Sequence, residues 1–196
     1  MSRYRFVVFD QLAYLSAMKS PYYSPFQSLN TRQERTLKRV SLPAVVFIMT
    51  TMIVIEGQLG AEGIVAFEFA GSLSRAEELM GNWGPIGQIK AAFLIGLDFL
   101  FIPAYCTAIG FFCYKLAPHF NNTALKATGY RLSWLIFLAG LLDIIENTGL
   151  YQLLAGTKSD FWAKIALWCA IPKFGIVIMG IVYVVAAYGY SRFKNK

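Results

Sequence analysis

Four long apolar stretches dominate this chain and leave few folds open to it. A bilayer core is about 30 Å thick, so a helix that spans it needs roughly 20 mainly apolar residues. Stretches of that kind run from Leu42 to Gly60, from about Ala91 to Tyr114, from about Leu132 to Ala155 and from about Phe161 to Tyr190. Hydrophobic residues make up 57% of the 196, against about 45–50% in soluble domains, and the excess is gathered in these four segments. The expected fold is therefore all-α: a polytopic membrane protein whose four-helix transmembrane bundle occupies residues 40–190. A cytosolic segment, 1–39, precedes it, a cytosolic tail, 191–196, follows, and a folded outer loop lies at 61–84.

Local signals refine the helix ends. Thr31 and Glu34 have capping-box spacing, which extends the first helix back into the cytosol. Pro85, just after Asn82-Trp83-Gly84, suits the first turn of the second helix. In the outer loop, Ile64 to Gly71 is too apolar to float in water. It is expected to fold back over the outer mouth of the bundle or to lie in the headgroup layer. A short helix follows, with Ser74 and Glu77 as its capping box. Near the N-terminus, the prolines and aromatics of Ser20 to Phe26 predict an irregular segment lying on the membrane or on a partner.

Orientation comes from the lysines and arginines. Arg3, Arg5, Lys19, Arg32, Arg35, Lys38 and Arg39 precede the first stretch. Lys115, Lys126 and Arg131 bracket the second loop, and Arg192, Lys194 and Lys196 fall in the tail. The other two loops hold Arg75, Lys90, Lys158 and Lys164, so thirteen basic residues face four. Both chain ends are accordingly placed in the cytoplasm. Arg3 and Arg5 flank a brief apolar patch that Asp10 and Gln11 interrupt, which is no signal peptide, so the helices themselves direct insertion. The net charge of +7 is accounted for by this asymmetry, with the lipid bilayer and not nucleic acid as its partner.

A charge at mid-bilayer costs about 2.5–3.5 kcal/mol on insertion scales. The second stretch nevertheless carries Asp98, the third Asp143 and Glu146 with Asn147, the fourth Lys173, and the first Glu56 near its outer end. Counted along the helices, Asp98, Glu146 and Lys173 fall at similar heights in the outer half of the membrane. Asp143, Glu146 and Asn147 share one helical face, at i, i+3 and i+4, and lipid requires that face to turn inward. Pro103 and Pro172 each leave a backbone carbonyl unpaired, at Phe99 and Trp168. Two breaks beside two charges predict a polar, hydrated cavity opening outward. Glu56 and Glu68 are assigned to its mouth.

Two readings of this cluster compete, together with a third about where the helix begins. The contacts serve as interhelical glue. Alternatively, because one lysine cannot neutralise four acids, the surplus marks a site for a proton, a cation or a small polar ligand. If the fourth helix starts at Phe174, Lys173 is interfacial and snorkels. Cys106, Cys113 and Cys169 lack metal-ligand spacing, and His119 stands alone in a cytosolic loop, so no metal site is predicted. No P-loop, dinucleotide or nucleophile-elbow motif occurs, which leaves cofactors unknown and the chain leaning away from enzymes.

Glu68-Phe69-Ala70-Gly71, Ala76, Trp83, Asp98, Phe101 to Tyr105, Asp143, Glu146-Asn147 and Lys173 together resemble a pattern in uncharacterised bacterial four-helix membrane proteins. The resemblance covers about residues 56 to 190 and implies the topology without implying an activity. The expected function is binding or movement of a proton, cation or small polar ligand, in a homo-oligomer. The alternatives are an accessory or assembly subunit of a larger membrane complex, and a membrane enzyme acting on a lipid-like substrate.

Overall fold

A computed structural model describes residues 22–194. Its elements are α1 (Thr31–Glu56), α2 (Ile64–Glu68), α3 (Leu73–Leu116), a 3-10 turn (Ala117–His119), α4 (Thr123–Leu154) and α5 (Asp160–Lys194), with no strand among the described residues. Four helices are long and apolar enough to cross a membrane: α1, α3 with the 3-10 turn, α4 and α5. They alternate in direction. The short helix α2 and the turn at 155–159 therefore lie at one end of the bundle, and the 117–122 connection lies at the other with the start of α1 and the end of α5.

The start of α1 is capped one residue earlier than the sequence suggests. Asn30 Oδ1 accepts from the backbone N–H of Arg32 and Gln33, and the Gln33 side chain accepts from the Asn30 N–H. Asn30–Gln33 offers the same reciprocal geometry as Thr31–Glu34, and asparagine is the stronger cap. Glu34 instead pairs with Lys115 of α3 at 2.7 Å, at the end of the bundle remote from α2. The helix runs unbroken through position 40, so the expected 39/40 boundary falls inside α1.

Helix α3 is likewise capped earlier, by Ser72, whose hydroxyl accepts from Arg75 N–H, and not by the Ser74–Glu77 box, which lies within the helix. At Gly84 the helix breaks. Its backbone stands at φ 63° and ψ −177°, a conformation essentially restricted to glycine. Pro85 then opens the second segment, where its missing N–H costs nothing. The third transmembrane helix begins at Thr123, nine residues before the apolar stretch does, because Asn122 Oδ1 caps Ala124 and Leu125.

Helices α3, α4 and α5 form the packed centre, and α1 leans on α3. Close approach depends on small residues, as is usual where apolar helices meet in lipid. Gly149 lies where an added Cβ would stand 3.0 Å from the Trp162 carbonyl, and at Gly180 it would meet Ile136 Cδ1 at 2.8 Å. Cys106 and Cys113 are buried, and their thiols donate to the carbonyls of Ile136 and Gly180.

The described part of the N-terminal segment packs on the protein's own bundle. Phe26 is buried edge-to-face on Phe111 and also touches the Phe137 ring. The buried Ser24 and Ser133 hydroxyls are hydrogen-bonded at 2.9 Å. Tyr23 stacks on Trp134. Ser20 and Pro21 lie outside the described residues.

Candidate functional site

The inward face of α4 organises the site. Asp143, Glu146 and Asn147 are all buried there. From α5, the Lys173 ammonium reaches Glu146 Oε1 at 2.8 Å and Asp143 Oδ1 at 3.1 Å. It also sits 4.5 Å from the ring centre of Phe174. Helix α5 starts at Asp160 and not at Phe174, so Lys173 lies thirteen residues inside it, and it is buried within the bundle. From α3, Tyr105 Oη donates to Asp143 Oδ2 at 2.9 Å, and Asp98 Oδ2 accepts from Asn147 Nδ2 at 2.7 Å. Three helices thus converge on one polar layer, as the residue count along each helix anticipates.

The fourth carboxylate comes from the loop. Helix α2 folds back against α3, α4 and α5, and its last residue, Glu68, is drawn inside. Glu68 Oε2 lies 3.8 Å from Lys173 Nζ, and the residue is 8% exposed. Of the two placements expected for this loop, folding back onto the bundle is the one observed. Glu68 belongs to the cluster itself and not to its mouth. Glu56, at the end of α1, lines the edge of the same cavity and packs beside Gly63.

Charge and hydrogen bonding do not balance within this layer. Four carboxylates (Glu68, Asp98, Asp143 and Glu146) lie in the layer with one ammonium, which pairs with Glu146, Asp143 and Glu68. Among the described residues, Glu68 Oε2 and Glu146 Oε2 are buried with no hydrogen-bond partner. Burial pushes the Glu68 carboxyl up from its ordinary 4.5 to about 7, against the opposing pull of Lys173 and with further upward push from Asp98 and Asp143. A group poised there changes protonation near neutral pH with little cost.

The cavity beside the cluster has a volume of about 500 Å³, and its shape differs from the expected outward-opening polar pocket. Its polar groups lie at one end: Glu56, Glu68, Asp98, Asp143 and Lys173, with the Tyr105 ring next to them. From there it continues between α1 and α5, over α3, along apolar walls that include Val45, Met49, Ile109, Val177 and Ile181. Because α1 packs chiefly on α3, this cleft opens sideways. Neither proline lines it. Pro103 faces a separate groove between α3 and the other side of α1, and Pro172 is exposed on α5.

Two features escaped the sequence reading of the site. Tyr105 follows Asp98 by seven residues, two turns along the same face of α3, a spacing that could have placed it beside the charges. The apolar cleft carries no sequence signal, since its walls have the composition of any membrane helix. No metal-ligating group of three or more His, Cys, Asp or Glu side chains occurs among the described residues. The chain matches no protein-family profile, no curated protein and no solved structure.

Proposed function

We propose that the chain is an integral protein of a bacterial plasma membrane that binds a proton, a cation or a small cationic molecule at the layer formed by Glu68, Asp98, Asp143, Glu146 and Lys173. The excess of basic residues at the end opposite α2 supports placing that end in the cytoplasm and the cluster in the outer half of the membrane. One observation carries the reading. Four carboxylates are gathered with one ammonium that pairs with three of them, and two of their oxygens are buried without a hydrogen-bond donor. Leaving such a group unsatisfied costs about 1–3 kcal/mol, and more if it is charged. Interhelical glue needs one acid for one lysine. A surplus of acids with unused acceptor capacity is what a cationic ligand would complete.

The proposal has a direct test. Cation binding near neutral pH displaces the proton from Glu68, so adding sodium, magnesium or methylammonium to weakly buffered, detergent-solubilised protein should release protons to a pH indicator. Glu68→Gln should abolish that release. If no cation releases protons and the stability of the wild type does not change between pH 5 and pH 8, the reading fails.

A further inference from the structure

We infer that the ligand of this site is a single-chain amphiphile with an amine headgroup, its ammonium held by Glu68 and Asp98 and its alkyl chain lying in the cleft between α1 and α5. The inference rests on the proposed function and specifies the ligand class.

The shape of the cleft is the first argument. A bare ion needs a site of atomic size, whereas this cavity is of the size of small-molecule pockets, about 300–1,000 Å³. Its lining runs from Glu56 to Leu42 along α1 and from Asp98 to Phe112 along α3. Fourteen residues of helix on each wall give a length of about 21 Å. A cavity of about 500 Å³ drawn out over that length is long and narrow, the form an extended alkyl chain fills.

Polarity is the second argument. The charged side chains that line the cavity are gathered at the α2 end, and the far walls are Val45, Val177, Ile181 and Val185. A molecule with one polar end and one apolar end matches this gradient. An ion or a small polar solute leaves most of it unused.

The sign of the charge chooses the headgroup. A phosphate or carboxylate would find one ammonium, already engaged by Glu146 and Asp143, among surplus acids. An ammonium finds Glu68, which lines the cavity, is more than nine-tenths buried, and has one carboxylate oxygen, Oε2, with no hydrogen-bond donor and Lys173 Nζ no nearer than 3.8 Å. Charge-assisted hydrogen bonds of this kind are the strong ones. Access follows from the packing of α1, which leaves the cleft open to the side, so an amphiphile dissolved in the bilayer enters without passing through water.

Dodecylamine and methylammonium separate head from tail. Wild-type protein in nanodiscs of zwitterionic lipid is titrated with each, following the thermal midpoint, and native mass spectrometry reads what remains bound. The inference predicts one dodecylamine per chain. Glu68→Gln should weaken both amines by about tenfold or more, the loss of a charged hydrogen bond. Met49→Trp on α1 and Val177→Trp on α5, which fill the cleft from opposite walls, should abolish dodecylamine binding and leave the methylammonium response intact. Equal response to dodecanol or dodecanoate would overturn the headgroup assignment. Dodecylamine binding that survives both tryptophan variants, or a retained phospholipid in its place, would overturn the inference while leaving the cation site standing. Failure of the wild type to respond to either amine or to any inorganic cation would overturn both.

Discussion

Replacing Glu68 by glutamine should stabilise the protein at pH 8 and do nothing at pH 4. The carboxyl has a folded-state pKa of about 7 and an ordinary value of 4.5, the increase being due chiefly to burial. A carboxyl with a raised folded pKa costs nothing below about pH 4.5, where it is protonated in both states. As the pH rises, the unfolded chain ionises first and the folded chain retains its proton, so stability falls until the folded group ionises near pH 7. At about 1.4 kcal/mol per pH unit the loss reaches about 3 kcal/mol. Glutamine has the shape of the neutral acid and does not titrate. The gap between variant and wild type should therefore open from near zero to about 3 kcal/mol across this window. For a chain of this size that is about 6–12 °C in thermal midpoint. Melting curves in detergent at half-unit steps from pH 4 to pH 8 would show it. A variant less stable than the wild type at pH 8, or a gap that does not grow with pH, would refute the reasoning.

Other perturbations have expected outcomes in the same assay. Lys173→Met strands Asp143, Glu146 and Glu68 without their shared cation, and should cost about 3–5 kcal/mol, as breaking a buried pair on one side does. Tyr105→Phe removes the hydroxyl that donates to Asp143, and a lost hydrogen bond to a charged group should cost about 1.5–3 kcal/mol. Gly84→Ala forces a side chain onto a backbone at φ 63° and ψ −177°, and should cost about 1–3 kcal/mol with no effect on amine or cation response.

Much of the architecture was legible because the membrane narrows the choices. Apolar length alone places four helices, and the cost of burying charge obliges Asp143, Glu146 and Asn147 to face inward together. Counting along each helix brings Asp98 and Lys173 to the same layer. Three things were not legible, each for a physical reason. Glu68 reaches the cluster from a loop, and loops have no periodicity from which a depth can be counted. The cap of α1 falls on Asn30 because two adjacent residue pairs satisfy the same spacing, and the capping preference of asparagine over threonine is small. The cleft between α1 and α5 depends on how closely apolar surfaces approach, and in membrane helices apolar residues face lipid and protein alike. The two prolines pointed the wrong way for the same reason: their position in the chain gives a break in hydrogen bonding but not the face on which it lies, and here both lie away from the cavity.

The central claim is that the acids exceed what packing requires and are kept for a ligand. It is tested most directly by the double variant Glu68→Gln, Asp98→Asn, which removes two of the surplus acids and leaves Lys173 with its two hydrogen-bonded carboxylates, Glu146 and Asp143. Thermal midpoints of this variant and the wild type are compared across pH, with and without candidate cations. The account predicts a variant as stable as the wild type, or more so, whose response to cations is gone. A variant that collapses, beside a wild type indifferent to every cation and to pH, would contradict it and make the cluster a structural clamp.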